Sequence, residues 1–248
     1  MSTTPVKLSA LKTACKNCNL HDLCLPLGLD LEDIDLLDDI IKRNRPLQKG
    51  EHLFSTSERF TSIYAVRSGS IKTFTENEQG DEQITGLYLP GELIGLDAIY
   101  DEKHPCSAVA LETTSLCEIP FETLEGLSTQ IPELHRQLFR IMSKEIANDQ
   151  SLLMLMAQKS AEERLAAFLV NLSTRLRARN FSETEFNLSM SRKDIGNLLG
   201  LTIETISRTF SRFQNEGILS TQRKYVNIHQ LNTLKEMAGI SAHCIAND

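Results

Sequence analysis

The sequence predicts an α+β chain made of an antiparallel β-roll, a long helix and a winged helix-turn-helix, in that order. Three observations carry this expectation. Short apolar runs punctuated by glycines occupy residues 46–120, and helical periodicity without internal proline or glycine runs from Pro132 to Ser160. The remaining residues hold two capped helices separated by Gly200. The expected divisions are a cysteine-rich loop at 1–30, a β-roll domain at 31–131, the long helix at 132–160 and the winged helix-turn-helix unit at 161–248.

A chain of 248 residues can bury a substantial core, and 41% hydrophobic with 24% charged residues is ordinary for a soluble globular protein. Met1 to Leu11 lacks the apolar centre of a signal peptide, and no uninterrupted apolar stretch approaches a membrane span. The expectation is a cytoplasmic protein without membrane contact. In that reducing compartment clustered cysteines serve as ligands or reactive thiols rather than disulfides. The net charge of −7 divides unevenly: residues 1–160 carry 15 Lys+Arg against 24 Asp+Glu, whereas residues 161–248 carry 11 against 9. Arg175, Arg177, Arg179, Arg192, Lys193, Arg208, Arg212, Arg223 and Lys224 therefore give the C-terminal part a modest positive charge suited to phosphate contact.

Cys15, Cys18 and Cys24 form a C-x2-C-x5-C loop, and Cys117 follows about a hundred residues later. Thiolates are preferred ligands of iron–sulfur clusters and of zinc, so three on a short loop plus one delivered by the fold fit either centre. Inert buried thiols are the plainer possibility. Cys106 and Cys244 lack cysteine neighbours and read as spare thiols.

A short acidic helix is expected around Leu31 to Arg43. Strands follow at Ser62 to Val66, Ser70 to Phe74 and Gln83 to Tyr88, with Gly69, Gly80, Gly91 and Gly95 between them. The last strand, Thr114 to Ile119, carries Cys117 and would hold it rigidly against the N-terminal loop.

In the long helix His135, Phe139, Met142, Ile146, Asp149, Leu153 and Met156 recur at alternating spacings of four and three, the pattern of a heptad seam. Asp149 puts a carboxylate in that stripe, so two parallel copies would bring like charges together. One reading is a deliberately weak dimer interface that a second signal tips. The bland one is a core helix with Asp149 in solvent.

After a helix from Glu162 to Arg177, Ser191 caps a short helix with Asp194 in its first turn, Gly200 ends it, and Thr202 caps the next, Ile203 to Glu216. Ile203, Ile206, Phe210 and Phe213 form its apolar face. Glu204, Ser207 and Arg208 lie on the other, with the chemistry to meet cytosine N4, an adaptable edge, and guanine O6 and N7. Leu219 to Ile228, with Gln222-Arg223-Lys224 at its centre, reads as a wing hairpin. A helical hairpin with a merely wet polar face would share part of this pattern.

With these residues in place, the chain resembles the FNR group, the oxygen-sensing members of the CRP/FNR family of bacterial transcription regulators. The likeness spans nearly the whole chain. It rests on the cysteine loop with Cys117, the stretch Glu78 to Gly86, the run Ala161 to Phe168, and Glu204-Thr205-Ile206-Ser207-Arg208. It implies a cyclic-nucleotide-binding-like roll and one [4Fe-4S] cluster per subunit on Cys15, Cys18, Cys24 and Cys117. It also implies a homodimer while the cluster is intact, and activation or repression from two-fold DNA sites with TTGAT-like halves. Oxygen would convert the cluster to a [2Fe-2S] form, the dimer would loosen and DNA would be released. By the same resemblance Leu23 shields the cluster, where ordinary loop packing is the alternative role. Ser68, Gly80 to Asp81, Thr113 and Arg179 to Phe181 match regions that touch RNA polymerase.

Relatives that bind cyclic nucleotides carry an Arg-Ser pair where this chain has Cys106-Ser107. Without that arginine a cyclic phosphate would lose its bidentate partner, so no cyclic nucleotide is expected. Two other functions stay in view: a zinc- or thiol-redox-controlled regulator of the same fold, and a cluster-dependent electron-transfer enzyme. The chain offers the enzyme reading no substrate-binding glycine motif and no paired catalytic carboxylates, so the expectation is a regulator and not an enzyme.

Overall fold

The polypeptide begins its defined path on two 3-10 turns, Cys15–Asn17 and His21–Leu23, packed against the helix α1 at Leu31–Ile40. The computed structural model describes residues 14–239, so Cys244 and the segment Met1 to Leu11 lie outside the described residues. The Asp30 carboxylate accepts from the Glu32 and Asp33 backbone N–H groups and starts α1. The helix stops short of Arg43 because Ile41 is extended and Lys42 pairs by backbone with Glu118.

Seven strands make the roll: β1 His52–Phe54, β2 Ser62–Ser68, β3 Ile71–Glu76, β4 Glu82–Tyr88, β5 Leu93–Ile94, β6 Ser107–Ala110 and β7 Ser115–Pro120. They form two antiparallel sheets, ordered β1-β6-β3-β4 and β5-β2-β7. Val66, Ile71, Ile94, Ala108 and Ala110 fill the core between the sheets, whereas Ile63, Ala65, Leu93 and Ile119 alternate to the other face of the β5-β2-β7 sheet and pack with the helices. Cys117 lies directly opposite Ala65 in the β2–β7 ladder.

The helix α2, Phe121–Gln130, leads into α3, Pro132–Gln158. Proline at the first position suits α3 because that N–H has no partner within a helix. Its first turns are covered by way of Leu134 and Gln137, and near its end Leu152 and Leu155 pack against the core of the C-terminal unit. On its other face Phe139, Ile146 and Leu153 are 59%, 58% and 69% exposed in the single chain. Such a stripe on an isolated chain marks a surface that another element covers.

The C-terminal unit consists of α4 Ala161–Arg177, β8 Glu185–Asn187, α5 Arg192–Leu198, α6 Ile203–Asn215, the wing strands β9 Leu219–Gln222 and β10 Tyr225–Ile228, and α7 Leu231–Met237. Ser160 and Ser191 each form a reciprocal capping box, with Glu163 and Asp194. Sequence reading overlooked α2, α7 and β8; β8 pairs with β10 and extends the wing to three strands.

This unit is seated on the roll. The edge strand β4 is met by α5, where Asn197 donates to the Glu82 carbonyl and accepts from the Ile84 N–H, both at 2.5 Å. One asparagine thereby supplies the two groups a neighbouring strand would, and the exposed edge is closed. Lys72 of β3 pairs with Asp194 at 3.3 Å. Beneath them Phe74, Ile84 and Leu89 of the roll share a continuous apolar cluster with Leu165, Leu169 and Leu198.

Leu169 is fully buried in that shared cluster. Leu169→Ala is expected to cost about 2–5 kcal/mol of stability in urea denaturation. A loss below about 1 kcal/mol would show that the surrounding core collapses around the missing side chain.

Candidate functional site: a four-cysteine cavity and a DNA-facing helix

The cysteine loop has little regular structure of its own and is held by contacts. The Cys15 N–H donates to Asp38 Oδ1 of α1 at 2.9 Å, and Lys16 pairs with Asp35 at 3.1 Å. Arg43 closes an ion pair with Asp38 and places Nη2 4.0 Å from Cys15 Sγ. Burial works to raise the Asp38 carboxyl, but the Cys15 N–H and Arg43 outweigh it and hold it below the usual range. Further along, Gln137 of α3 donates to the Cys24 carbonyl at 3.3 Å. The loop therefore touches α1, the roll and the long helix.

Cys15, Cys18, Cys24 and Cys117 all line one cavity, otherwise walled by Leu20, Leu25, Leu37, Ile41 and other largely apolar surface. Burial raises the Cys15 thiol, with Asp38 adding to the shift, and pushes Cys24 up to about 12. Cys117 is raised by burial and partly relieved by Arg43 and Arg67. Buried thiols in this state stay protonated until a soft metal centre displaces the protons.

A single tetrahedral zinc would take all four thiolates on one ion, with Zn–S bonds of about 2.3 Å. A polynuclear cluster takes one thiolate at each of its separated irons. The chemistry of the donor set, four thiols around one apolar cavity with a cation beside it, fits such a cluster.

Leu23 is half-buried on the roll side of the loop, where a methyl group added to Gly91 would stand 2.9 Å from its Cβ. Gly91 adopts φ +93, so both its backbone and the loop above it require glycine. Cys106 is buried and donates to Asp97 Oδ2 at 3.5 Å, while Ser107 Oγ accepts the Thr56 N–H at 3.0 Å.

At the other end, Thr202 caps α6 through the Thr205 N–H, and Ile206, Phe210 and Phe213 are buried beneath. Ile203, expected on that apolar face, is 45% exposed at the helix start. Gly196 lets α5 meet the turn, because a Cβ there would stand 2.7 Å from the Leu201 carbonyl oxygen. Glu204, Ser207 and Arg208 all face solvent. The Glu204 carboxyl is held below its usual range by its own backbone N–H, the Thr202 hydroxyl and Arg208, which keeps it an ionised acceptor.

Several C-terminal cations are spent on partners within the chain. Arg192 stacks on Phe210 with its guanidinium carbon 3.0 Å from the ring centroid, and burial lowers it to about 10. Arg212 pairs with Glu162 and Glu216. Arg175 and Arg179 both pair with Glu92. Lys193, Arg208, Arg223 and Lys224 remain exposed.

One expected surface residue is corrected. The Arg179 side chain is only 4% exposed and donates to the Pro90 carbonyl at 2.6 Å, so in the Arg179 to Phe181 segment it is Asn180 and Phe181 that face outward. Ser68, Gly80, Asp81 and Thr113 are exposed.

Of the helix residues assigned to dimerisation, Ile146, Asp149 and Leu153 are exposed and Met142 is half-buried. Met156 lies elsewhere: its carbonyl accepts from Arg164 at 2.7 Å, and a methyl at Gly200 would stand 2.7 Å from its Cε. Asp149 is raised by partial burial and by Asp97 of the same chain.

Residues 44–130 match the family described as a cyclic nucleotide-binding domain, and residues 163–237 match a Crp-like helix-turn-helix domain. The transcriptional activator protein Anr of Pseudomonas protegens is 56% identical over 95% of this chain and 97% of its own length. The chain belongs to the CRP/FNR family of transcription regulators. The fumarate and nitrate reduction regulatory protein of Escherichia coli K12 is 52% identical over 91% of this chain and 90% of its own. The structure of FixK2 from Bradyrhizobium japonicum superposes with a TM-score of 0.74 at 27% identity, covering 80% of this chain and 97% of that one. This family member is accordingly a DNA-binding regulator and not an enzyme, with the expected roll, long helix and helix-turn-helix. No helix among the described residues is long and apolar enough to cross a membrane.

Arg208→Ala or Glu204→Ala is expected to weaken specific DNA binding by about 1–3 kcal/mol and to relax discrimination at one base pair. Equal losses on operator and random duplexes in a binding titration would count against base reading.

Proposed function

We propose that the protein is an oxygen-responsive regulator of anaerobic gene expression, controlled by one [4Fe-4S] cluster per subunit held by Cys15, Cys18, Cys24 and Cys117. The observation that carries this reading is the meeting of four thiols from a loop and a distant strand on one apolar cavity. The naming of 50% and 52% identical relatives for anaerobic regulation and for fumarate and nitrate reduction supports it. When bound, the cluster supplies a centre that oxygen destroys.

The chain's own residues do the rest. Cys117, fixed by the β2–β7 ladder, sets where the loop must settle, and Asp38 with Arg43 orients its beginning. Gln137 ties the Cys24 carbonyl to α3, so a loop seated on the roll also orders the start of that helix. Met142, Ile146, Asp149 and Leu153 then form the face of a homodimer, from which Met156 is turned away toward the helix-turn-helix. Asp149 already feels Asp97 within its own chain, and a second Asp149 across a parallel interface adds to that repulsion. A modest gain from the seated loop decides such a balance. In the dimer, two copies of α6 would read the halves of a palindromic site through Glu204, Ser207 and Arg208.

A cyclic nucleotide has no place in this scheme. Glu92 is occupied by two arginines, and the Cys106-Ser107 positions offer a thiol and an already engaged hydroxyl in place of a guanidinium. Exposed Ser68, Gly80, Asp81, Thr113 and Phe181 are proposed to meet RNA polymerase from the DNA-bound dimer.

An anaerobic absorbance spectrum with iron and sulfide analysis tests the reading. A brown protein with about one four-iron cluster per subunit, bleaching in air as operator affinity falls, is the expected result. A colourless protein whose DNA binding ignores air would overturn it. Asp149→Ala is expected to sediment as a dimer in air without the cluster, and an aerobic monomer would remove the charge-repulsion account.

A further inference from the structure

The turn Pro90-Gly91-Glu92 has a different neighbour on each side. On one side Gly91 lines the cysteine cavity and supports Leu23, the residue before Cys24. On the other, Glu92 receives Arg175 of α4 at 2.9 Å through Nε and at 2.5 Å through Nη2, and Arg179 Nη2 at 2.6 Å. Between these contacts the turn is pinned to β2, where the Gly91 N–H donates to the Val66 carbonyl at 2.7 Å and the Val66 N–H donates to the Glu92 carbonyl at 3.0 Å. Val66 itself lines the cavity and adjoins Ala65, the partner of Cys117. Three residues thus join the cysteine loop to the helix that opens the DNA-binding unit.

We infer that Glu92 is a positioning residue for DNA binding, holding α4 through Arg175 and Arg179 in a way that depends on the cysteine loop being seated on Gly91. This rests on the proposed cluster reading and extends it, because control through Gln137 acts on dimerisation whereas this link acts inside one subunit. The physical basis is enclosure. Glu92 is 22% exposed and Arg179 4%, and ion pairs shielded from water depend steeply on geometry and solvent access. Arg175 and Arg179 also donate to the Leu87 and Pro90 carbonyls, both at 2.6 Å, so their guanidinium groups grip the end of β4 and the backbone of the turn itself. A loop that leaves Gly91 uncovers the turn from the opposite face, admits water and loosens the grip. The helix-turn-helix follows α4 through Arg164, which donates to the Leu199 carbonyl at 3.0 Å.

The test is a double-mutant cycle on the full chain, loaded with cluster and handled without oxygen, using Glu92→Gln, Leu23→Ala and the pair. Cluster absorbance, sedimentation and affinity for a palindromic duplex with TTGAT-like halves are read together. Glu92→Gln is expected to keep the cluster and the dimer yet bind the duplex about tenfold more weakly. Adding Leu23→Ala should then cost nothing further, although Leu23→Ala alone weakens binding. Arg175→Lys, which keeps the charge and loses the two-pronged contact, should reproduce the Glu92→Gln loss and covers the case in which that variant fails to fold. Losses that multiply in the double variant, or wild-type affinity in Glu92→Gln or Arg175→Lys, would overturn the inference while leaving a brown, air-sensitive wild type intact. A colourless wild type would overturn the cluster reading and this inference with it.

Discussion

Cys117 is immobilised in the β2–β7 ladder, whereas Cys15, Cys18 and Cys24 lie on 3-10 turns with few hydrogen bonds of their own. That asymmetry governs the molecule. Whatever gathers the four thiols must bring the loop to the strand, since the strand is held on a rigid sheet and the loop is not. The contacts that guide it, Asp38 to the Cys15 N–H and Gln137 to the Cys24 carbonyl, come from two different helices, α1 and α3, packed on the same face of the roll.

Protonated thiols in an apolar cavity cost little, but four thiolates there would be expensive without a cation or metal centre. The raised Cys15, Cys24 and Cys117 thiols express that cost, and Arg43 and Arg67 offset only part of it at Cys117. The same economy recurs at Glu92, where an enclosed carboxylate is kept ionised by two arginines despite burial. In relatives with a cyclic-nucleotide pocket such a roll faces a ligand. Here the Glu92 surface faces α4, and the DNA-binding unit covers it together with the free edge of β4.

The long helix completes the picture by what it leaves uncovered. Phe139, Ile146 and Leu153 form an apolar stripe that the roll does not reach, interrupted by Asp149 facing a second carboxylate, Asp97. Apolar area favours covering this face and charge opposes it. An interface balanced in this way responds to small changes elsewhere, which is what the proposed oxygen control requires.

Local chemistry was legible in the sequence. Glycine punctuation marked the roll, the absence of internal breakers marked α3, and serine and threonine caps marked α4, α5 and α6, because each signal acts within a few residues. The cysteine spacing likewise named the loop. Contacts between distant segments had no such signal. Nothing in the order of residues shows that Arg179 turns inward to Glu92, that Arg192 lies on Phe210, that Met156 leaves the seam for Gly200, or that Asn197 closes the edge of β4. Those choices depend on which surfaces meet once the roll and the DNA-binding unit pack together, and burial then decides which charges stay in water and which must find partners.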